Sequence, residues 1–230
     1  MSGQLFIVSA PSGAGKTSLV SRLLRETPGI RLSVSHTTRA RREGEIVGVH
    51  YHFTDNDTFD AMRERGEFLE SANVFGNQYG TSHAAIEAVV DAGDDAVLEI
   101  DCQGAAQVRA RHPGATSVFI LPPSRDVLRA RLTGRGSDSP EAIARRTADA
   151  LAEMRQHAEA DYLIINDDFD EAYAELNAIV RAERCRHARQ AAKHAPLIAE
   201  LLAAALRYSP WLVSPSKTAS ITSTTDSTSL

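Results

Sequence analysis

The chain has 230 residues, 43% of them hydrophobic, and a formal net charge of −5, which gives apolar material for a substantial core in a chain large for one domain and small for two. The acidic balance offers no global basic field to nucleic acid, and no apolar run approaches the ~18 residues of a membrane span. Cys102 and Cys185 are the two cysteines; they match no metal or redox spacing and read as free thiols of a reducing cytoplasm, and Met-Ser-Gly-Gln leaves no room for a signal peptide before the first strand.

That strand is the apolar run Leu5–Ser9, and it feeds residues 10–17, Ala-Pro-Ser-Gly-Ala-Gly-Lys-Thr. A Gly-rich loop between strand and helix turns successive N–H groups inward as a nest for phosphate oxygens. The helix N-terminus adds its partial positive charge to the same spot. Ala10, Pro11, Ser12, Gly13, Ala14, Gly15, Lys16, Thr17 and Ser18 are thus candidate nucleotide-phosphate ligands, with the Lys16 charge for the outer phosphates and the Thr17 hydroxyl for a magnesium ion. Ala10 stands where the strict phosphate-loop pattern has glycine. An ordinary Gly-rich turn is the competing reading, and the strand–loop–helix context of Lys16 and Thr17 outweighs it.

A helix follows over 16–26, with Leu19, Val20, Leu23 and Leu24 on one face, then a short strand at 32–35. Residues 36–50 are polar, basic and Gly-containing and read as a loop. A short strand at 51–54 precedes a helix capped by Asp55 or Asp57 and running through Arg65. A strand at 68–75 and a helix at 82–92, stopped by Gly93, come next. The buried strand 96–100 delivers Glu99 and Asp101 at its end. Residues 105–111 are helical and 117–121 form another buried strand. Two arginine-rich helices, 126–132 and 140–158, flank Thr-Gly-Arg-Gly-Ser. The last strand is 162–165, followed by a long helix over 169–189 and a short apolar one over 196–206.

Strands alternating with helices predict an α/β fold with a largely parallel sheet flanked by helices. The expected core is 1–35, 95–125 and 159–206. It carries a mixed insert at 36–94, whose short strands pair antiparallel, and a helical lid at 126–158 whose Gly hinge suits motion. Residues 207–230 are Ser/Thr-rich with almost nothing to bury and read as a disordered tail.

The second informative stretch holds Arg39, Arg41 and Arg42, followed by Tyr51. Guanidinium forks and a phenol suit a phosphate monoester, although a bare arginine cluster is more often a solvated loop. Ser35, Thr37, Thr38, Arg39, Arg42, Gly44, Glu45, Gly48, Tyr51 and Phe53 together resemble the substrate segment of guanylate kinases. The resemblance continues in Glu67-Phe68-Leu69-Glu70, Gly76-Asn77-Gln78-Tyr79-Gly80-Thr81, Leu98-Glu99-Ile100-Asp101-Cys102-Gln103-Gly104, Gly134-Arg135-Gly136 and Ile165-Asn166-Asp167-Asp168, so it covers about residues 4–190.

It implies a P-loop nucleoside-monophosphate-kinase fold. It also implies transfer of the ATP γ-phosphoryl group, with Mg2+, to GMP and to dGMP. The donor ATP falls to residues 10–18 with Arg131 and Asn166. The acceptor phosphate falls to Arg39, Arg42, Tyr51 and Tyr79, and guanine to Ser35, Glu70, Thr81 and Asp101. Lys16, Arg39, Arg42, Arg135 and Arg146 are the residues expected to stabilise the transferring group. Magnesium is expected on Thr17 and, through water, on Glu99 or Asp101, with the choice between them open.

The chemistry of guanine agrees. Its N1–H and 2-amino groups are two donors that a carboxylate accepts, whereas adenine presents an acceptor at N1 that a carboxylate repels. Taken singly, Glu70 reads as a surface strand residue, Asp101 as a turn cap, and Asn166 as a cap of the following helix. Three other readings compete. A sugar-phosphate kinase would not need Ser35, Glu70 and Asp101 arranged for guanine. A guanylate-kinase-like binding module would not need Lys16 and Thr17. An ATPase acting on nucleic acid conflicts with the acidic balance. The partners expected are therefore small molecules, without nucleic acid or membrane; oligomeric state is not legible in the sequence.

Overall fold

The computed structural model describes residues 3–74, 76–133 and 140–207, the side chains of 140–146 and 204–207 excepted. The chain divides into two compact units, Met1–Arg186 and His187–Leu230. The first runs β1 (Leu5–Ser9), α1 (Lys16–Glu26), β2 (Ile30–Leu32), β3 (His36–Thr37), β4 (His52–Phe53), α2 (Asn56–Glu64), β5 (Phe68–Val74), β6 (Asn77–Ser82), α3 (His83–Val90) and β7 (Asp95–Glu99). It continues through α4 (Cys102–Arg111), β8 (Thr116–Leu121), α5 (Arg125–Thr133), α6 (Pro140–Met154), a 3-10 turn at Arg155–Glu159, β9 (Tyr162–Ile165) and α7 (Phe169–Arg184). The second unit holds α8 (His187–Lys193) and α9 (Ala195–Arg207). No helix among the described residues is long and apolar enough to cross a membrane.

Strands β2, β7, β1, β8 and β9 lie in that order in one parallel sheet. Side-chain alternation along β1 feeds both faces of it. Phe6 and Val8 join Leu19, Val20 and Leu23 of α1 and Leu176 and Val180 of α7 on one side. Ile7 joins Leu98, Ala105 and Val108 on the other. The chain leaves β1 toward β2 on one flank and later returns past it to β8 on the other. That reversal places a crevice at the carboxyl ends of β1 and β7, where open α/β sheets bind ligands.

The second sheet, ordered β4-β3-β6-β5, belongs to the insert. β6 pairs antiparallel with both β3 and β5, while β3 and β4 run parallel. It is tied to the core by Leu69, which packs with Ile7 and Leu98. Gln107 of α4 adds to this by bonding both the N–H and the C=O of Ser71, at 3.2 and 2.7 Å.

Three expectations are revised. The strand expected at 32–35 lies at Ile30–Leu32, and the supposed loop after it contains β3. The segment 77–82 is a six-residue strand. The long helix over 169–189 stops at Arg184, where the Cys185 N–H is shared between the carbonyls of Arg181 and Ala182 at 3.2 and 3.0 Å, a tightened last turn. Cys102 is buried and Cys185 exposed, both as free thiols. The Gly-Arg-Gly hinge at 134–136 and the tail at 208–230 lie outside the described residues.

Candidate active site

The loop after β1 is shaped by two glycines with positive φ, Gly13 at 89° and Gly15 at 97°, a region that side chains with a Cβ rarely enter. Space is also tight there. A Cβ on Gly15 would lie 2.2 Å from Nδ2 of Asn166, and one on Gly13 would lie 3.1 Å from Leu128 of α5. Ala10 packs with the core cluster of Phe6 and Val8, so its methyl group is accommodated inward. Helices α2, α3, α4 and α7 all begin on a side chain that accepts a backbone N–H: Asp55, Ser82, Asp101 and Asp168. Helix α1 begins instead on Gly15, with no side-chain cap. Its first intrahelical bond is Leu19 N–H to Gly15 C=O, which leaves the N–H groups of Lys16, Thr17 and Ser18 outside the helix ladder.

The Lys16 ammonium donates to the Ile100 carbonyl at 2.7 Å, which aims it at the end of β7. The Thr17 hydroxyl donates to the carboxylate of Glu99. Asp101 has its oxygens engaged elsewhere, by the Gly104 N–H at 2.9 Å and by the Gln103 amide at 3.2 Å.

Facing this loop, Ser35 at the end of the core segment and Arg42, Tyr51, Glu70 and Tyr79 of the insert line one cavity of about 310 Å³ with it. Glu70 is only 2% exposed. Its Oε1 accepts the Thr81 hydroxyl at 2.6 Å, and the Thr81 oxygen is in turn 2.9 Å from that of Ser35. Burial pushes the Glu70 carboxyl up to about 7, with the Asp101 charge adding to the rise and Thr81 and Lys16 opposing it. Burial likewise drives the Tyr51 phenol up to about 12, so it stays a donor.

Helix α4 passes so close that a Cβ on Gly104 would sit 2.5 Å from Glu70 Oε2. Gly104→Ala is therefore expected to leave the melting temperature nearly unchanged, since alanine favours helix, while displacing the Glu70 carboxylate. If guanine rests on that carboxylate, the GMP KM rises roughly tenfold, as a lost charged hydrogen bond would cost. Paired steady-state kinetics and thermal melts check this, and an unchanged KM would show the carboxylate free to move aside.

The other expected residues fall around this cavity. Thr81 stands behind Glu70 and is fully buried. Arg39 does not line the cavity: its guanidinium is held by Glu45 at 2.6 Å and by the Ala40 carbonyl at 2.7 Å, beside the Tyr51 ring. Glu45 also accepts the Arg42 N–H at 2.7 Å, so one carboxylate braces both arginine positions. Asn166 is 3% exposed and gives its side-chain N–H to the Ala14 carbonyl at 2.7 Å. It thus buttresses the loop from behind, and the cap of α7 falls to Asp168. Arg131 approaches the carbonyls of Ala14 and Asn166 at 3.4 and 3.3 Å. It lines a second cavity of about 290 Å³ with Ser18, Asn166 and Phe169. Arg135 and the side chain of Arg146 lie outside the described residues.

Sequence reasoning missed Glu45, Gly104 and Glu153. The first two stand inside quoted motifs and could have been found there. Glu153 carries no spacing signal in its arginine-rich helix.

Comparison with known proteins agrees with this geometry. The guanylate kinase family profile matches residues 2–183. A guanylate kinase of Alkalilimnicola ehrlichii is 59% identical over 202 residues, covering 88% of this chain and 98% of its own. One from Escherichia coli is 56% identical over 203 residues, covering 87% and 98%. The crystal structure of guanylate kinase from Anaplasma phagocytophilum superposes with a TM-score of 0.69 at 34% identity, over 82% of this chain and 89% of that one. This chain belongs to the guanylate kinase family.

Proposed function

We propose that the chain transfers the γ-phosphoryl group of ATP to GMP, and to dGMP, giving ADP and GDP in purine nucleotide metabolism. One observation carries the reading: a single cavity joins the loop at Ser12–Thr17 to Arg42, Tyr51, Glu70 and Asp101, so donor and acceptor phosphates share one chamber. Glu70 and Asp101 supply acceptors for the guanine N1–H and 2-amino group, and the Ser35 hydroxyl is placed to turn toward O6. Thr81 acts on Glu70, holding its carboxylate in line. Arg42, Tyr51 and Tyr79 bind the acceptor phosphate, with Arg39 drawn in from its Glu45 brace. The second cavity, beside Ser18 and Arg131, has room for the donor base.

Two hard oxygen donors, the Thr17 hydroxyl and the Glu99 carboxylate, are already bonded to each other and fit a magnesium ion arriving with ATP. Of the two strand-end carboxylates we assign Glu99, because it is the one bonded to Thr17, while Asp101 faces the acceptor side of the cavity. The ion, when bound, neutralises charge on the donor phosphates. The nucleophile needs no general base, because a phosphate monoester with a second pKa of about 6 is ionised at pH 7. The protein's own work is orientation and charge. The N–H groups of the loop and Lys16 hold the donor phosphates, and the acceptor-side arginine and tyrosines set the attacking oxygen in line. By resemblance, Arg135 and Arg146 spread the charge of the transferring group. Free Cys102 and Cys185 fit a reducing compartment, and the cytoplasm is the proposed place of reaction.

A coupled assay of ADP release tests the reading with GMP, AMP, UMP and ribose phosphates as acceptors. GMP is expected to exceed AMP by roughly 10⁴ in kcat/KM, because a site built on hydrogen bonds is left unpaired by the wrong base. Equal efficiency with AMP or a sugar phosphate would overturn it.

A further inference from the structure

Glu153, in the last turn of α6, puts a carboxylate inside a site shaped for phosphate. Its Oε2 accepts the Ser12 N–H at 3.2 Å, and it lines the central cavity with Lys16 and Asp101. The carboxyl pKa is raised, first by burial and then by the charges of Asp101 and Asp149, against the pull of the Ser12 N–H and Lys16. The position of α6 is fixed by other contacts. Ala150 and Met154 pack on Leu128 and Leu132 of α5, and the Glu153 carbonyl receives the Cys102 thiol at 3.8 Å. The same two leucines would meet a Cβ at Gly13, so the frame carrying Glu153 is packed directly against the crown of the loop.

A ring of inward N–H groups beside a helix N-terminus and a lysine selects an anion, and here the chain directs one of its own toward it. We infer that Glu153 is an internal anion that competes with the phosphate chain of the donor nucleotide for the loop at Ser12. The inference rests on reading this loop as the ATP site. A phosphate entering the loop must displace the carboxylate from Ser12 or sit beside it, and like charges within about 4 Å of each other in a protein cavity repel by more than thermal energy. Affinity is lowered in exchange for release: as the nucleotide departs, the carboxylate recovers the Ser12 N–H, which shortens the residence of the product. Release is a common limit on turnover in enzymes that enclose their substrates.

The test is calorimetric titration of the whole chain with two probes. Inorganic tripolyphosphate, which has no base, reads only the phosphate-binding groups of the chamber, and the β,γ-imido analogue of ATP reaches the full donor site. Glu153→Gln keeps shape and an acceptor for Ser12 but removes the charge; Glu153→Ala removes both and suits a helix. Both variants are expected to bind both probes roughly tenfold tighter than the parent chain, with the ADP dissociation rate falling in step. A carboxylate that only braces the loop gives the opposite result, so unchanged or weaker binding in folded variants would overturn the inference. If the parent chain binds tripolyphosphate but not the ATP analogue, the nucleotide reading fails while the competition at Ser12 is still decided by the tripolyphosphate arm.

Discussion

With Lys16 replaced by methionine, phosphoryl transfer falls roughly a thousandfold while the protein stays folded, the scale seen when one preorganised charge is removed from a developing anion. Methionine keeps the apolar stem and deletes only the ammonium, which sits 2.7 Å from the Ile100 carbonyl at the end of β7. The frame around it does not depend on that charge, because Leu19, Val20 and Leu23 anchor α1 to the sheet. Turnover at saturating MgATP and GMP, with a thermal melt as control, checks the expectation. A variant with near-parental turnover would remove the loop from the chemistry.

Glu70→Gln should lower kcat/KM for GMP by roughly a thousandfold, since the new amide turns an N–H toward a base that already presents donors. The pH profile gives a second signature. Before GMP binds, the Glu70 carboxyl is held up at about 7, so below that pH the acceptor is progressively protonated. For the parent chain, kcat/KM for GMP therefore falls about tenfold per pH unit below 7, and more steeply below the second pKa of the GMP phosphate at about 6. In Glu70→Gln only the phosphate step remains.

Stability runs the opposite way with pH. Because the folded state raises this pKa above its ordinary value of 4.5, the folded protein holds the proton more tightly. Its contribution to stability is complete below the ordinary value and is lost as pH rises through about 7. The glutamine variant, with no charge to bury, should melt no lower than the parent at pH 8 even as GMP turnover collapses. A profile flat from pH 8 to 6 would place the ionising acceptor elsewhere.

The parallel core was legible because its strands are short apolar runs bounded by Gly, Pro and polar residues, and because the phosphate loop has strict spacing. The insert was less so. β6 reads Asn-Gln-Tyr-Gly-Thr-Ser, and its polar side chains bond to α2, to Glu70 and to the start of α3 rather than forming an apolar face, so alternation could not reveal it. β3 and β4 have two residues each, too few for any period. The end of α7 at Cys185 carries no Gly or Pro. At the site, residue identities were readable from motif but their attachments were not. Asn166 lines the second cavity, and its side-chain N–H also buttresses Ala14 while its buried Oδ1 has no hydrogen-bond partner among the described residues, attachments that spacing could not reveal. Arg39 is held by Glu45, a pairing that depends on how the 39–45 loop folds back. The choice of Glu99 over Asp101 depends on which carboxylate meets Thr17, a cross-chain contact beyond the reach of spacing.

The missing side-chain cap of α1 has a thermodynamic consequence. Among the described residues, five helices close their first turn with a side chain, Ser124 doing so for α5, and the one bearing Lys16 and Thr17 leaves that place open. On the proposed reading of this loop as the ATP site, an occupying phosphate would complete the turn and contribute to the fold the bonds that Asp or Ser contributes elsewhere. Cohesion of the loop then depends on metabolite concentration. Nucleotide supply and the resistance of the folded chain to unfolding become linked quantities.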